Sequence, residues 1–168
     1  MPENTQSNVS LLERQATLVI GLGGAGGQVT ARVKSAIQNT FGADSIKARN
    51  VHYLVLDNDD FQNLDFWVRQ TIDETREFLC LSKFNPREAY LAYESQPQNM
   101  ADLREWFPRE DIHLLPNKLE DTGAARCRPL GRFFLYHNQH KARKRLGELL
   151  PRKESFVLYE SPFRILKL

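Results

Sequence analysis

Sulfur and zinc-type ligand patterns are nearly absent from this chain. Its 168 residues hold only two cysteines, Cys80 and Cys127, and no Cys-x-x-Cys pair. That excludes a disulfide framework and a zinc ribbon, and it leaves a reducing cytoplasm as the expected compartment. No apolar run is long enough to span a bilayer; the longest, Leu18 to Ala25, is short and rich in glycine. Residues 1–16 are polar and carry a single basic residue, Arg14, so they are not a secretory signal. They read as a flexible tail ahead of one domain over 17–168. No Gly-Lys-Ser/Thr follows any glycine cluster, which excludes a Walker loop. Low-complexity segments, linkers and internal repeats are also missing.

What is present is a soluble globular composition, 41% hydrophobic and 26% charged. A chain of this length buries roughly 70% of its unfolded surface. The net charge of +2 hides an asymmetry: Arg126 to Lys153 holds nine Lys or Arg residues against one acid, Glu148. Such a block suits phosphate, nucleic acid or an acidic face, and equally a solvated helix. No aromatics alternate with its charges, so nucleic acid is not an expected partner.

Five of the nine glycines fall within Gly21-Leu22-Gly23-Gly24-Ala25-Gly26-Gly27. Before them, Thr17–Gly21 is a short β-rich run. After them, Val29, Val33, Ile37 and Phe41 recur at four-residue spacing, predicting a helix that buries this face and stops at Gly42. Val51–Leu56 is a nearly continuous apolar run, as in a strand buried on both faces. Asn85-Pro86-Arg87-Glu88 has the form of an N-cap, a first-turn proline and a capping glutamate, opening a helix toward Tyr93. Trp106-Phe107-Pro108 suggests an anchored aromatic cluster, and Ile112–Leu115 a short strand. One long basic helix is expected from Pro129 to Leu150, with its apolar period broken at Asn138, and a strand at Ser155–Tyr159. Phe61, Phe66 and Trp67 read as core. The alternation of strands and helices gives an α/β fold, a Rossmann-like parallel sheet with flanking helices.

A strand that runs into glycines and then a helix gathers free backbone N–H groups and a positive helix end at one point. Glycine removes the Cβ that would block a phosphate there. Gly21, Gly23 and Gly26 also satisfy Gly-x-Gly-x-x-Gly. A dinucleotide domain adds an acid at the end of the second strand, and Asp57 stands there, 31 residues after Gly26 rather than about 20. NAD or FAD binding by an oxidoreductase domain is therefore one reading. His137 and His140, three residues apart, lack a third metal ligand and read as surface histidines. Cys127, between Arg126 and Arg128, has no partner base. Asp59-Asp60 and Asp73-Glu74 suit capping.

The glycine run followed by Leu54-Val55-Leu56-Asp57-Asn58-Asp59 resembles the opening of the tubulin/FtsZ superfamily. Glu105-Trp106-Phe107-Pro108 and Gly123-Ala124-Ala125-Arg126-Cys127-Arg128-Pro129-Leu130-Gly131-Arg132 extend the likeness, and make it more specifically similar to the bacterial tubulin-like family. The resemblance implies binding of GTP or GDP, with Mg2+ as a companion ion, and self-association through a tubulin-like longitudinal interface. It implies that Gly21, Leu22, Gly23, Gly24, Ala25, Gly26, Gly27 and Gln28 lie under the phosphates. The loop after the second strand would be Asp57, Asn58 and Asp59, and a third phosphate-side loop would be Gly123, Ala124 and Ala125, with Arg126 and Arg128 adjacent. Two positions depart from the family pattern: Ala125 replaces a glycine, and Arg126 a residue that is more often glutamine. The family's Gly-Gly-Thr-Gly-Ser-Gly type loop does not occur in the chain. The expectation is thus an amino-terminal part of a longer protein, an incomplete GTPase domain that is not hydrolytically competent alone, with no catalytic residue and no metal ligands assigned. A non-catalytic assembly or interaction fragment is the third reading.

Overall fold

The computed structural model describes residues 16–96, 103–104, 107, 128–149 and 155–159. In chain order the elements are β1 (Thr17–Leu22), α1 (Gly23–Phe41), α2 (Ile46–Arg49), β2 (Val51–Asp57), a 3-10 turn (Phe61–Asn63), α3 (Phe66–Thr71), β3 (Phe78–Cys80), α4 (Pro86–Glu94), α5 (Arg128–His137), α6 (Gln139–Leu149) and β4 (Ser155–Tyr159). The four strands form one sheet in the order β3-β2-β1-β4. Every pairing is parallel, with Thr17 opposite Val51 on one side and Ser155 on the other. This is the α/β, Rossmann-like arrangement that the alternation of elements predicts.

Parallel strands need cover on both faces, and β2 shows how it is divided. Leu54 and Leu56 enter a layer with Leu18, Ile20, Tyr90, Phe107, Leu130, Phe133 and Phe134. Val55, between them, enters the opposite layer with Ala31, Phe61, Leu64, Val68, Ile72 and Phe78. Thus α4 and α5 cover one face, and α1 and α3 the other. A half-buried ion pair ties α1 to the segment before β3, Lys34 Nζ to Glu77 Oε2 at 2.5 Å. The same ammonium lies 5.6 Å from the Tyr53 ring centre. Burial, and then the Glu77 charge, push the Tyr53 hydroxyl up to about 12.

Caps act where the sequence places them. Asn85 accepts from the Arg87 and Glu88 N–H groups, and Pro86 occupies the first turn of α4. Gly42, at φ 81°, ends α1.

The structure departs from the sequence expectations at several points. First, α1 does not bury Val29, Val33, Ile37 and Phe41; its buried residues are Gly26, Gly27, Thr30 and Ala31, while Val29 and Phe41 are exposed. The helix lies so close to the sheet that only small side chains fit beneath it. A Cβ on Gly27 would already stand 3.2 Å from Val55 Cγ1. Second, the long basic helix is two helices, α5 and α6, joined at Asn138. Asn138 is 2% exposed. Its Nδ2 donates to the carbonyls of Leu81 (2.6 Å) and Phe134 (2.9 Å). Third, only Phe61 of the three aromatics is core; Phe66 and Trp67 are exposed, because Val68 fills the buried position of their short helix. Fourth, β3 was not expected, since three residues are too few to show a period of two. Trp106, Pro108 and Ile112–Leu115 lie outside the described residues, as do residues 1–15. Ala16, immediately before β1, is buried.

His137 is not a plain surface histidine. Its ring stacks on Phe84, with centroids 4.0 Å apart, and its Nδ1 lies 3.2 Å from the Tyr93 hydroxyl. Burial, and then the Lys141 charge, hold its pKa below the ordinary 6.5. The unfolded chain therefore takes up the proton first, and the stability from neutral His137 is full above about 6.5 and lost as pH falls toward the lower folded value. The melting temperature is expected to fall between pH 7.5 and pH 5.5, with a smaller drop in His137→Phe. Equal pH dependence in the two proteins would contradict this.

Candidate nucleotide site

β1 passes into α1 without an intervening loop. Leu22 is still extended, and Gly23, at φ 67°, turns the chain as the first helical residue. The run expected as a glycine loop is therefore the end of β1 and the first turn and a half of α1. Glycine is required at two points. Gly23 adopts the left-handed region. Gly21 lies against the helix, where a Cβ would stand 2.6 Å from the Gly26 carbonyl carbon and 2.5 Å from Thr30 Oγ1.

The start of α1 leaves its first N–H groups without intrahelical partners. Leu22 supplies no side-chain cap and the first turn holds no acid. Gly24, Ala25 and Gln28 are exposed. At Gly24 the nearest atom to a Cβ would be Asp57 Oδ2, 4.0 Å away. The helix start is accessible, positive and free of bulk, a combination that favours an anion.

Asp57 ends β2 and is buried. Its Oδ1 accepts from the N–H groups of Asn58 (2.7 Å) and Asp59 (3.2 Å), which fixes the turn after the strand. Its carbonyl accepts from Leu81 N–H at 2.7 Å. Parallel pairing of β1 with β2 brings this acid beside the glycine turn, although 31 residues separate it from Gly26.

A depression of about 100 Å³ opens at this junction, lined by Gly24, Gly27, Gln28, Asp57, Asp59, Asn63, Leu64, Asp65 and Val68. Asn63, Leu64, Asp65 and Val68 were not expected there, and they arrive because α3 packs alongside α1. The one sequence signal was Asp65 ahead of an apolar run; its Oδ1 caps α3 through Trp67 N–H at 2.9 Å. The lining contains three carboxylates and no Lys or Arg. Among the described residues no group of three or more His, Cys, Asp or Glu is arranged to hold a metal ion, and no helix is long and apolar enough to cross a membrane.

Of the expected site residues, Gly24, Gly27, Gln28, Asp57 and Asp59 line this depression, whereas Leu22 packs on the core layer and Gly21 is buried beneath α1. Arg128 is the first residue of α5. Gly123, Ala124, Ala125 and Arg126 lie outside the described residues. The tubulin-like family model matches residues 18–157, from β1 into β4. Comparison with curated proteins gave no match, and comparison with solved structures gave none.

Proposed function

The chain belongs to the tubulin-like family, and on that premise we propose that the start of α1 binds the phosphates of a guanine nucleotide. The observation that carries this is the uncapped, acid-free first turn of α1, open at Gly24 and facing the turn after β2. Its N–H groups would donate to phosphate oxygens, and the helix dipole would favour their charge.

The carboxylates of Asp57, Asp59 and Asp65 repel a bare polyphosphate. A divalent cation held by one or two of these carboxylates would offset that repulsion. Mg2+ is usually held by one or two carboxylates plus substrate phosphates rather than by an all-protein cage, which is compatible with this lining. The reading is therefore a Mg2+-dependent GTP or GDP site, and hydrolysis is assigned to no residue of this chain. Asp57 would orient the turn through Asn58 and Asp59 and contribute charge for the cation.

Calorimetric titration with Mg2+-GTP, Mg2+-GDP and NAD tests the reading. Guanine nucleotides are expected to bind, EDTA to weaken binding at least tenfold, and NAD to bind more weakly. In Gly24→Glu, a carboxylate occupies the open first turn, where it suits the helix dipole but repels phosphate. That chain is expected to fold and to lose binding at least tenfold. NAD binding that equals GTP binding and is lost in Asp57→Ala would instead identify a dinucleotide site.

A further inference from the structure

The outer face of α6 has no role in the nucleotide site. Lys141, Arg143 and Lys144 are all exposed, and no salt bridge engages them among the described residues. The one acid of the helix, Glu148, lies 3.5 Å from Arg145. On the inner face, Ala142 is buried and Leu146 and Leu149 pack on the core. A helix with an unassisted solvated face normally balances its charges with acids three or four residues away. Here Lys141–Lys144 and Lys141–Arg145 are like-charge neighbours at those spacings, which destabilises the isolated helix. Gly147 weakens it further, and a Cβ there would meet nothing within 4 Å, so packing does not require the glycine.

The chemistry of this face selects its partner. Insertion into a membrane needs apolar residues beside the cations, and the apolar residues of α6 point inward. A protein interface is normally centred on aromatic or Arg anchors seated in a pocket within an apolar surround, and the exposed side of α6 carries no aromatic or apolar residue to surround its cations. The absence of interleaved aromatics argues against stacking on single strands, but a duplex keeps its bases stacked and can be held without sequence preference through its phosphates. The helix has 11 residues, so it is about 16 Å long, enough to lie across the roughly 12 Å major groove of B-form DNA. The deep groove of A-form RNA does not admit it. We infer that the α6 face is a sequence-independent docking surface for the phosphate backbone of double-stranded DNA, through Lys141, Arg143 and Lys144.

Fluorescence anisotropy of a labelled 20-base-pair DNA duplex tests this. Three phosphate contacts give log K against log salt a slope of about −2.7, so affinity should fall roughly 40-fold between 50 and 200 mM salt. Lys141→Gln/Arg143→Gln/Lys144→Gln should bind at least tenfold more weakly while keeping its circular dichroism and its nucleotide titration unchanged. Gly147→Ala, which stabilises the helix without touching a cation, should retain duplex binding. No duplex binding, a flat salt dependence, equal binding by the triple variant, or equally tight binding of single-stranded DNA, duplex RNA or anionic vesicles would each overturn the inference. None of these outcomes touches the glycine turn, so the nucleotide proposal stands or falls separately.

Discussion

Asn138→Asp is expected to lower the melting temperature by roughly 10 °C at neutral pH, with a loss of about 3–5 kcal/mol. The native amide donates two hydrogen bonds, to Leu81 and Phe134 carbonyls, from a position with 2% exposure. A carboxylate of the same shape is acceptor-only, so it would face two carbonyl oxygens without a donor and bring a buried charge. Asn138→Leu removes the amide without adding charge and should cost less, about 2–3 kcal/mol, chiefly from the unsatisfied Leu81 carbonyl. The order of the two variants is the informative result. Protonating the introduced carboxylate at low pH should narrow the gap between them. Denaturant melts at pH 7 and pH 5 measure it, and an aspartate variant as stable as the wild type would show that Asn138 does not hold the helix junction.

Gly21→Ala should be nearly as damaging, although the change adds one methyl group to a strand. The methyl would enter space occupied by the Gly26 carbonyl and Thr30 Oγ1. Backbone cannot swing aside as a flexible side chain can, so α1 would have to lift from β1. Overpacking of this kind costs about 3 kcal/mol, a large share of a typical folding stability of about 5–15 kcal/mol. Because α1 carries the proposed phosphate contacts, nucleotide affinity should fall with stability. Gly24→Ala is the control, since its Cβ would stand 4.0 Å from the nearest atom, Asp57 Oδ2. Thermal melts that place both alanine variants within 1 °C of the wild type would refute this account of the strand–helix contact.

These variants mark what the sequence made legible. β1, β2 and β4 were readable because each is a compact apolar run, and α4 because Asn85-Pro86 states its start chemically. The core-facing side of α1 was misread for a physical reason. Large apolar residues usually mark a buried face, but close approach selects Gly26, Gly27, Thr30 and Ala31 and leaves Val29 and Phe41 outside. The break at Asn138 was visible only as an interruption of period; its cause is a carbonyl of Leu81, 57 residues away. At the candidate site, the place of the glycine run was legible in its strand–turn–helix order, and that of Asp57 in its position at the end of the second strand. Asn63, Leu64, Asp65 and Val68 did not, because their arrival depends on how α3 packs beside α1.

The central claim is that a guanine nucleotide sits on the first turn of α1. The most direct test is to titrate the 15N-labelled chain with Mg2+-GTP and follow its backbone amides. The account predicts the largest shifts at Gly23 to Gln28 and at Asn58 and Asp59, loss of those shifts in Gly24→Glu, and little change at α6. Absence of binding, or binding that leaves the Gly23 to Gln28 amides unmoved, would contradict it.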